Sequence, residues 1–260
     1  MTGMLLLAAS CTKDTPATSG AEVHFTVSVK ADADTKAAYG DASAVTQLLV
    51  GVLDSAGNPI EEFRRTVSRS SASEDFSFSL ELVEGLSYRL VLFAQSPDRF
   101  VNNYSVTTQL QSIPLPNTID INSETGDAFW ACQDIEADAH SQSITLRRAW
   151  AQVNIGTSAS DASAVTAVAL SIPGLPTHFN ACTGEASGSQ VVSMTASNVI
   201  SDLIGYPSYS LLAYAYIPVG QTPLMVDPTL TISSGSSSVT TNLTNIPLRA
   251  NYRTNILGNF

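Results

Sequence analysis

The chain has 260 residues, enough for two domains of ordinary size or one large β-sandwich. Its 23 acidic and 12 basic residues leave a formal net charge of -11, which argues against nucleic acid or an anionic lipid surface as an electrostatic partner, because no basic patch exists to neutralise phosphate. Only 13% of the residues are charged, and the wealth of small hydroxylated and β-branched side chains favours strands over helices.

In chain order, the first feature is an apolar run from Met4 to Ala9 followed by Ser10 and Cys11. A short apolar run ending in small residues and then cysteine is the form of a lipoprotein signal peptide before lipidation and cleavage. It is far too short to span a bilayer, which takes about 20 residues. The expectation is a signal peptide at 1–10, acylation of Cys11 (palmitate among the acyl chains) and a polar, lipidated tether at 11–21. More than one acyl chain is needed there, since a single chain gives only marginal membrane binding. No Lys or Arg precedes the apolar run.

Residues 23–30 alternate without a break, which predicts a strand burying Val23, Phe25, Val27 and Val29. Residues 47–54 form a near-continuous apolar strand that turns at 54–58. Phe76, Phe78, Leu80 and Leu82 alternate with polar residues, and residues 88–94 form the next run after a turn at Gly85. Short strands with turn signals every ten residues or so are the pattern of a β-sandwich. Between 96 and 138 the periodicity fades and turn-forming residues collect. Strands return at 144–147, 151–156, 165–172, 210–219, 230–232, 239–243 and 251–260, with one short helix candidate at 196–204. The serine- and glycine-rich stretches 184–189 and 233–238 read as exposed loop tips. These elements predict an all-β chain divided near residue 142 into an N-terminal domain, 22–142, and a C-terminal domain, 143–260.

No nucleophile–base pair, paired-carboxylate cleft or metal-ligand spacing can be assembled, so the chain reads as a non-enzyme without cofactor or metal. His24, His140 and His178 are isolated, with His24 on the polar face of its strand. With Cys11 lipidated, Cys132 and Cys182 remain, either paired in an oxidising compartment or as separate buried thiols. Tyr206, Tyr209, Tyr214 and Tyr216 read as sandwich core; exposed, they would stack on sugar rings, and the chain would be a surface lipoprotein binding glycan or host ligand. Lys36, followed by Ala37 in a polar loop after the first strand, is the kind of site a trypsin-like protease cuts. Arg147 and Arg148 read as strand edge or interdomain ion pairing.

The C-terminal stretch Asn251-Tyr252-Arg253-Thr254-Asn255-Ile256-Leu257-Gly258 resembles the closing strand of the fimbrillin-like lipoproteins of Bacteroidales. Residues 143–157 resemble the strand pair that opens their second domain, and Thr35-Lys36-Ala37 resembles the loop after their first strand. The resemblance implies a type V pilus subunit built from two transthyretin-like, Greek-key β-sandwich domains and displayed at the outer membrane, cell surface and fimbrium. It implies that a trypsin-like protease cuts between Lys36 and Ala37 and that the lipidated strand holding Val23 to Val29 is removed. A donor strand from a neighbouring subunit then fills the groove. Here that donor is expected to be 252–260, with Tyr252, Ile256 and Phe260 on one face. The partners implied are other pilus subunits, the processing protease and, through acylated Cys11, outer-membrane lipid.

Overall fold

The computed structural model describes residues 20–29, 40–137, 140–197, 202–203 and 208–259. In the first half the strands are β1 (Gly20–Val29), β2 (Gln47–Leu53), β3 (Arg65–Ser68), β4 (Phe76–Val83), β5 (Ser87–Gln95), β6 (Ile113–Pro114), β7 (Ala128–Glu136) and β8 (Ser141–Arg148). They are followed by β9 (Trp150–Ser158), β10 (Ala167–Leu175), β11 (His178–Asn180), β12 (Glu185–Ser187), β13 (Gln190–Ala196) and β14 (Asp202–Leu203). The last are β15 (Tyr209–Pro218), β16 (Leu224–Val226), β17 (Thr229–Ser234), β18 (Ser237–Asn242), β19 (Ile246–Leu248) and β20 (Arg253–Gly258). Among the described residues the helical turns are short 3-10 segments, so the chain is all-β.

Seven strands form one sheet in the order β3-β2-β5-β7-β8-β1-β4. It wraps around a core of Val23, Phe25, Val27, Leu48, Val50, Phe76, Leu80, Leu90, Phe129 and Ile144, among others. In the second half, β13-β10-β17-β18 faces β14-β15-β9-β20, and a second core between them holds Val168, Leu170, Ile232, Val153, Ile155 and Ile217.

A third apolar layer joins the halves. Phe93, Trp130, Trp150 and Phe179 pack edge-on or tilted there, with ring centroids from 5.0 to 6.2 Å apart. This layer explains the near-continuous apolar runs: β5 sends Leu90, Leu92 and Ala94 into the first core, and Val91 and Phe93 into the joining layer. A strand buried on both faces loses the polar alternation that marks a half-exposed one.

Several expectations change. β7 and β13 lie where no strand was expected. The expected loop 184–189 contains β12, paired with β11. Gly184 turns into it at φ +75°, where an added Cβ would sit 2.3 Å from the Trp130 ring, so the joining layer admits no side chain there. The stretch 233–238 is the exposed tip of the β17–β18 hairpin, as read. The helix candidate 196–204 is not a helix where described, since Ala196 ends β13 and Asp202–Leu203 pairs with β15; 198–201 and 204 lie outside the described residues.

Candidate functional site

The strand expected at 23–30 is β1, and it begins earlier, at Gly20, so the last residues of the expected tether are already paired: Gly20 opposite Val83 and Ala21 opposite Leu82. β1 is an interior strand, antiparallel to β4 and parallel to β8. Val23, Phe25 and Val27 are fully buried, and Phe25 stacks on Phe78 at 5.0 Å. Val29 is only half-buried against the same core. His24 faces outward, as alternation predicts, with its ring nitrogens 3.0 Å from Ser77 Oγ and 3.3 Å from Ser79 Oγ. Because β4 is the end strand and its in-sheet partner is β1, removing β1 would also strip β4 of its ladder.

Cys11, Lys36 and Ala37 lie outside the described residues. The chain is described again from Gly40, and there it is fastened tightly. Gly40 N–H donates to the Glu124 carboxylate, 3.2 Å from each oxygen, and its carbonyl accepts from Arg148 Nη2 at 2.7 Å. The backbone sits at φ +95°, and an added Cβ would lie 3.1 Å from Gln152 Oε1. Arg148 Nε in turn contacts both Asp127 oxygens at 3.0 Å, in a pair that is almost wholly buried. Burial pushes the Asp127 carboxyl up to about 6, against the opposing pull of Arg148. Tyr216 donates its hydroxyl to Glu124 Oε2 at 2.8 Å, and desolvation raises that phenol well above its ordinary value.

The same polar joint reaches the last strand. Gln152 Oε1, beside Gly40, accepts from Arg253 Nε and Nη2 at 3.3 and 3.2 Å. Gln152 Nε2 donates to Asn154 Oδ1 at 3.0 Å, and Asn154 Nδ2 to Asn255 Oδ1 at 2.9 Å. Arg253 and Asn255 belong to β20, which runs parallel to β9. These side chains can sit in the interior because each has a partner; unpaired, each would carry a desolvation penalty.

The expected donor face is only partly realised. Ile256 is buried in its own half of the molecule, 7% exposed. Tyr252 precedes β20 and is 54% exposed under the Arg249 guanidinium, 4.2 Å from the ring centre. Phe260 lies outside the described residues. The reading of the tyrosines as core holds for Tyr214 and Tyr216, which are buried, whereas Tyr209 is half-buried and Tyr206 lies outside the described residues. Rings in the joining layer cannot stack on a sugar.

Cys132 and Cys182 are free, half-buried thiols against the same aromatic layer. Burial raises both, Cys182 to about 11. Arg148 makes the ion pair, whereas Arg147 is exposed. Among the described residues no group of three or more His, Cys, Asp or Glu could hold a metal ion, and no helix is long and apolar enough to cross a membrane. The acidic members of the joint, Glu124 and Asp127, fall in the stretch 96–138, where the sequence shows only turn-forming residues; Asp127 lies 21 residues from Arg148, a separation at which sequence carries no pairing signal.

The sequence matches a family of unknown function, DUF6562, over residues 14–260. The chain belongs to that family. No curated protein matches it in sequence. Among solved structures it is similar to a candidate polysaccharide-binding protein of Bacteroides thetaiotaomicron, at 15% identity and TM-score 0.52, covering 86% of this chain and 81% of that one. A candidate adhesin of the same species matches at 15% identity and TM-score 0.51, covering 87% and 81%. A fimbrial assembly protein of Parabacteroides distasonis matches at 12% identity and TM-score 0.50, covering 91% and 90%. This DUF6562 chain therefore has the fold of Bacteroidales fimbrial and adhesin proteins; at such identities the likeness speaks for fold alone.

Proposed function

We propose that the chain is a structural subunit, shaft or accessory/anchor, of a surface type V pilus, exported as a lipoprotein acylated at Cys11. In this reading it comprises two transthyretin-like, Greek-key domains, expected at 22–142 and 143–260, with β8 (Ser141–Arg148) completing the sheet of the first. A trypsin-like protease cuts between Lys36 and Ala37, β1 leaves with the lipid, and a strand from another subunit replaces it by β-augmentation. The observation that carries the reading is the position of β1: an interior strand between the lipidation site and the candidate cut, followed by a chain fastened from Gly40 onward.

The energetics suit replacement. Val23, Phe25 and Val27 are fully buried, and at about 1.5–3 kcal/mol for each such side chain their loss rivals the whole stability of a domain, about 5–15 kcal/mol. A subunit without β1 is therefore strongly driven to accept a donor. An incoming strand would have to run parallel to β8 and antiparallel to β4, as β1 does.

β20 favours the accessory or anchor role over the shaft. Its Ile256 belongs to its own core, and Arg253 and Asn255 are tied into the polar joint, so donating β20 would dismantle the half that carries it. N-terminal sequencing of protein sheared from cells tests the proposal. A terminus at Ala37 in high-mass fibres is the result expected of a shaft subunit. Acylated Cys11 retained in fibre-associated protein assigns the anchor role, and acylated Cys11 found only in monomers overturns pilus assembly.

A further inference from the structure

The four-stranded sheet β13-β10-β17-β18 has two unlike edges. At β13, Ser193 N–H donates to the Asn117 carbonyl at 3.3 Å and residue 118 bridges residue 193, so that edge is covered. At the other end β18 pairs only with β17 among the described strands, and every residue of it except Thr241 is exposed. An uncovered strand presents a row of unpaired N–H and C=O groups, which monomeric proteins ordinarily protect with a charge, a proline or a covering segment. Here residues 229–245 contain no ionisable side chain and no proline.

The surface beside that edge is also prepared for contact. On the outer face Thr229 bonds Asn242, Thr231 bonds Thr240 and Ser233 bonds Ser238, each at 3.0 Å, so these hydroxyls are paired within the sheet and the surface carries no charge. On the inner face Val239 lies opposite buried Ile232, yet is itself 51% exposed. Its apolar surface overhangs the core.

We propose that this edge is where a second copy of the chain pairs, β18 against β18, antiparallel about a two-fold axis. Charge selects the place, because copies that each carry a net charge of -11 repel one another, and least where neither has an ionisable group. Geometry permits it: in an antiparallel ladder, opposed residues share a face, so Val239 or Thr240 lies opposite its own copy and the hydroxylated face continues unbroken from one molecule to the next. Contact along one six-residue strand falls short of the roughly 1,000 Å² of a stable interface. The association is weak in solution and is strengthened where copies are concentrated on one surface. It does not depend on the removal of β1.

Sedimentation velocity on the purified protein over a wide concentration range tests this, with circular dichroism as the check on folding. The wild type is expected to show a concentration-dependent dimer. Thr240→Lys, which sets two like charges at the axis, is expected to weaken it about tenfold or more. In a background with Cys132→Ser and Cys182→Ser, Val239→Cys and Thr240→Cys are compared, and the one on the axis is expected to form an oxidised dimer readily, whereas Ser55→Cys on an exposed turn of the first half is not. A protein monomeric at every concentration, a dimer untouched by Thr240→Lys, or cross-linking at neither Val239→Cys nor Thr240→Cys above that at Ser55→Cys overturns the proposal.

Discussion

β1 and β20 both lie parallel to the continuous path of β8 and β9, which only Ala149 separates, one strand in each half of the molecule. β1 has a neighbour on either side and is held by apolar burial, with a ladder to β4 and another to β8. β20 is built into a sheet on one side, by β9, contributes one fully packed side chain, Ile256, and is fixed by polar contacts through Arg253 and Asn255. Non-directional burial can be matched by another apolar strand of the same polarity, whereas a hydrogen-bonded register cannot be reproduced without the same side chains. The first strand is thus held by contacts of a kind that another apolar strand can make, and the last by contacts particular to its own side chains.

The sharpest break in that contrast comes from the side chain that dominates β1. Phe25→Ala is expected to cost about 3–5 kcal/mol in urea unfolding. If the fold tolerated it at under about 1 kcal/mol, β1 would not be part of the core. Arg148→Ala, which leaves Asp127 buried without its partner, is expected to cost about 3 kcal/mol, with Arg148→Lys recovering only part because a lysine cannot reproduce both the Asp127 and Gly40 contacts. Ile256→Ala is expected to cost about 2–3 kcal/mol; little or no loss would mean that β20 is free to leave as a donor.

Proton linkage gives a smaller and more particular effect. Asp127 binds its proton more tightly in the folded state, with its pKa at about 6 against an ordinary 3.8. Its contribution is therefore greatest at pH below the ordinary value, and is lost as the pH rises through about 6. Asp127→Asn is expected to remove that downward slope between pH 4 and 7, read from denaturation midpoints. Smallest is Gly40→Ala, expected to cost about 1–2 kcal/mol for a side chain at positive φ; protease nicking after Lys36 is expected to quicken in this variant as the Gly40 contacts to Glu124 and Arg148 loosen.

How far the sequence could be read depended on the neighbours of each strand. β1 was legible because one face meets the core and the other meets water, so Val23, Phe25 and Val27 alternate with His24, Thr26 and Ser28. β7 was not: Ala128, Phe129 and Trp130 are all buried, on opposite faces, between a core and the joining layer. The tyrosines show the same limit, since the spacing of Tyr214 and Tyr216 puts them on one face without saying whether that face meets solvent or Arg148 and Glu124.

By itself the sequence determined the all-β class, the burial of Val23, Phe25 and Val27 in β1 and the hairpin tip at 233–238, because these follow from local periodicity and composition. Only the tertiary structure decided that β1 is interior, that Gly40, Glu124, Asp127, Arg148 and Gln152 form one joint, that β20 serves its own core and that β18 is an edge among the described strands. Those are pairings between residues far apart in the chain, and their free energy comes from burial and polar satisfaction that exist only once both partners are in place.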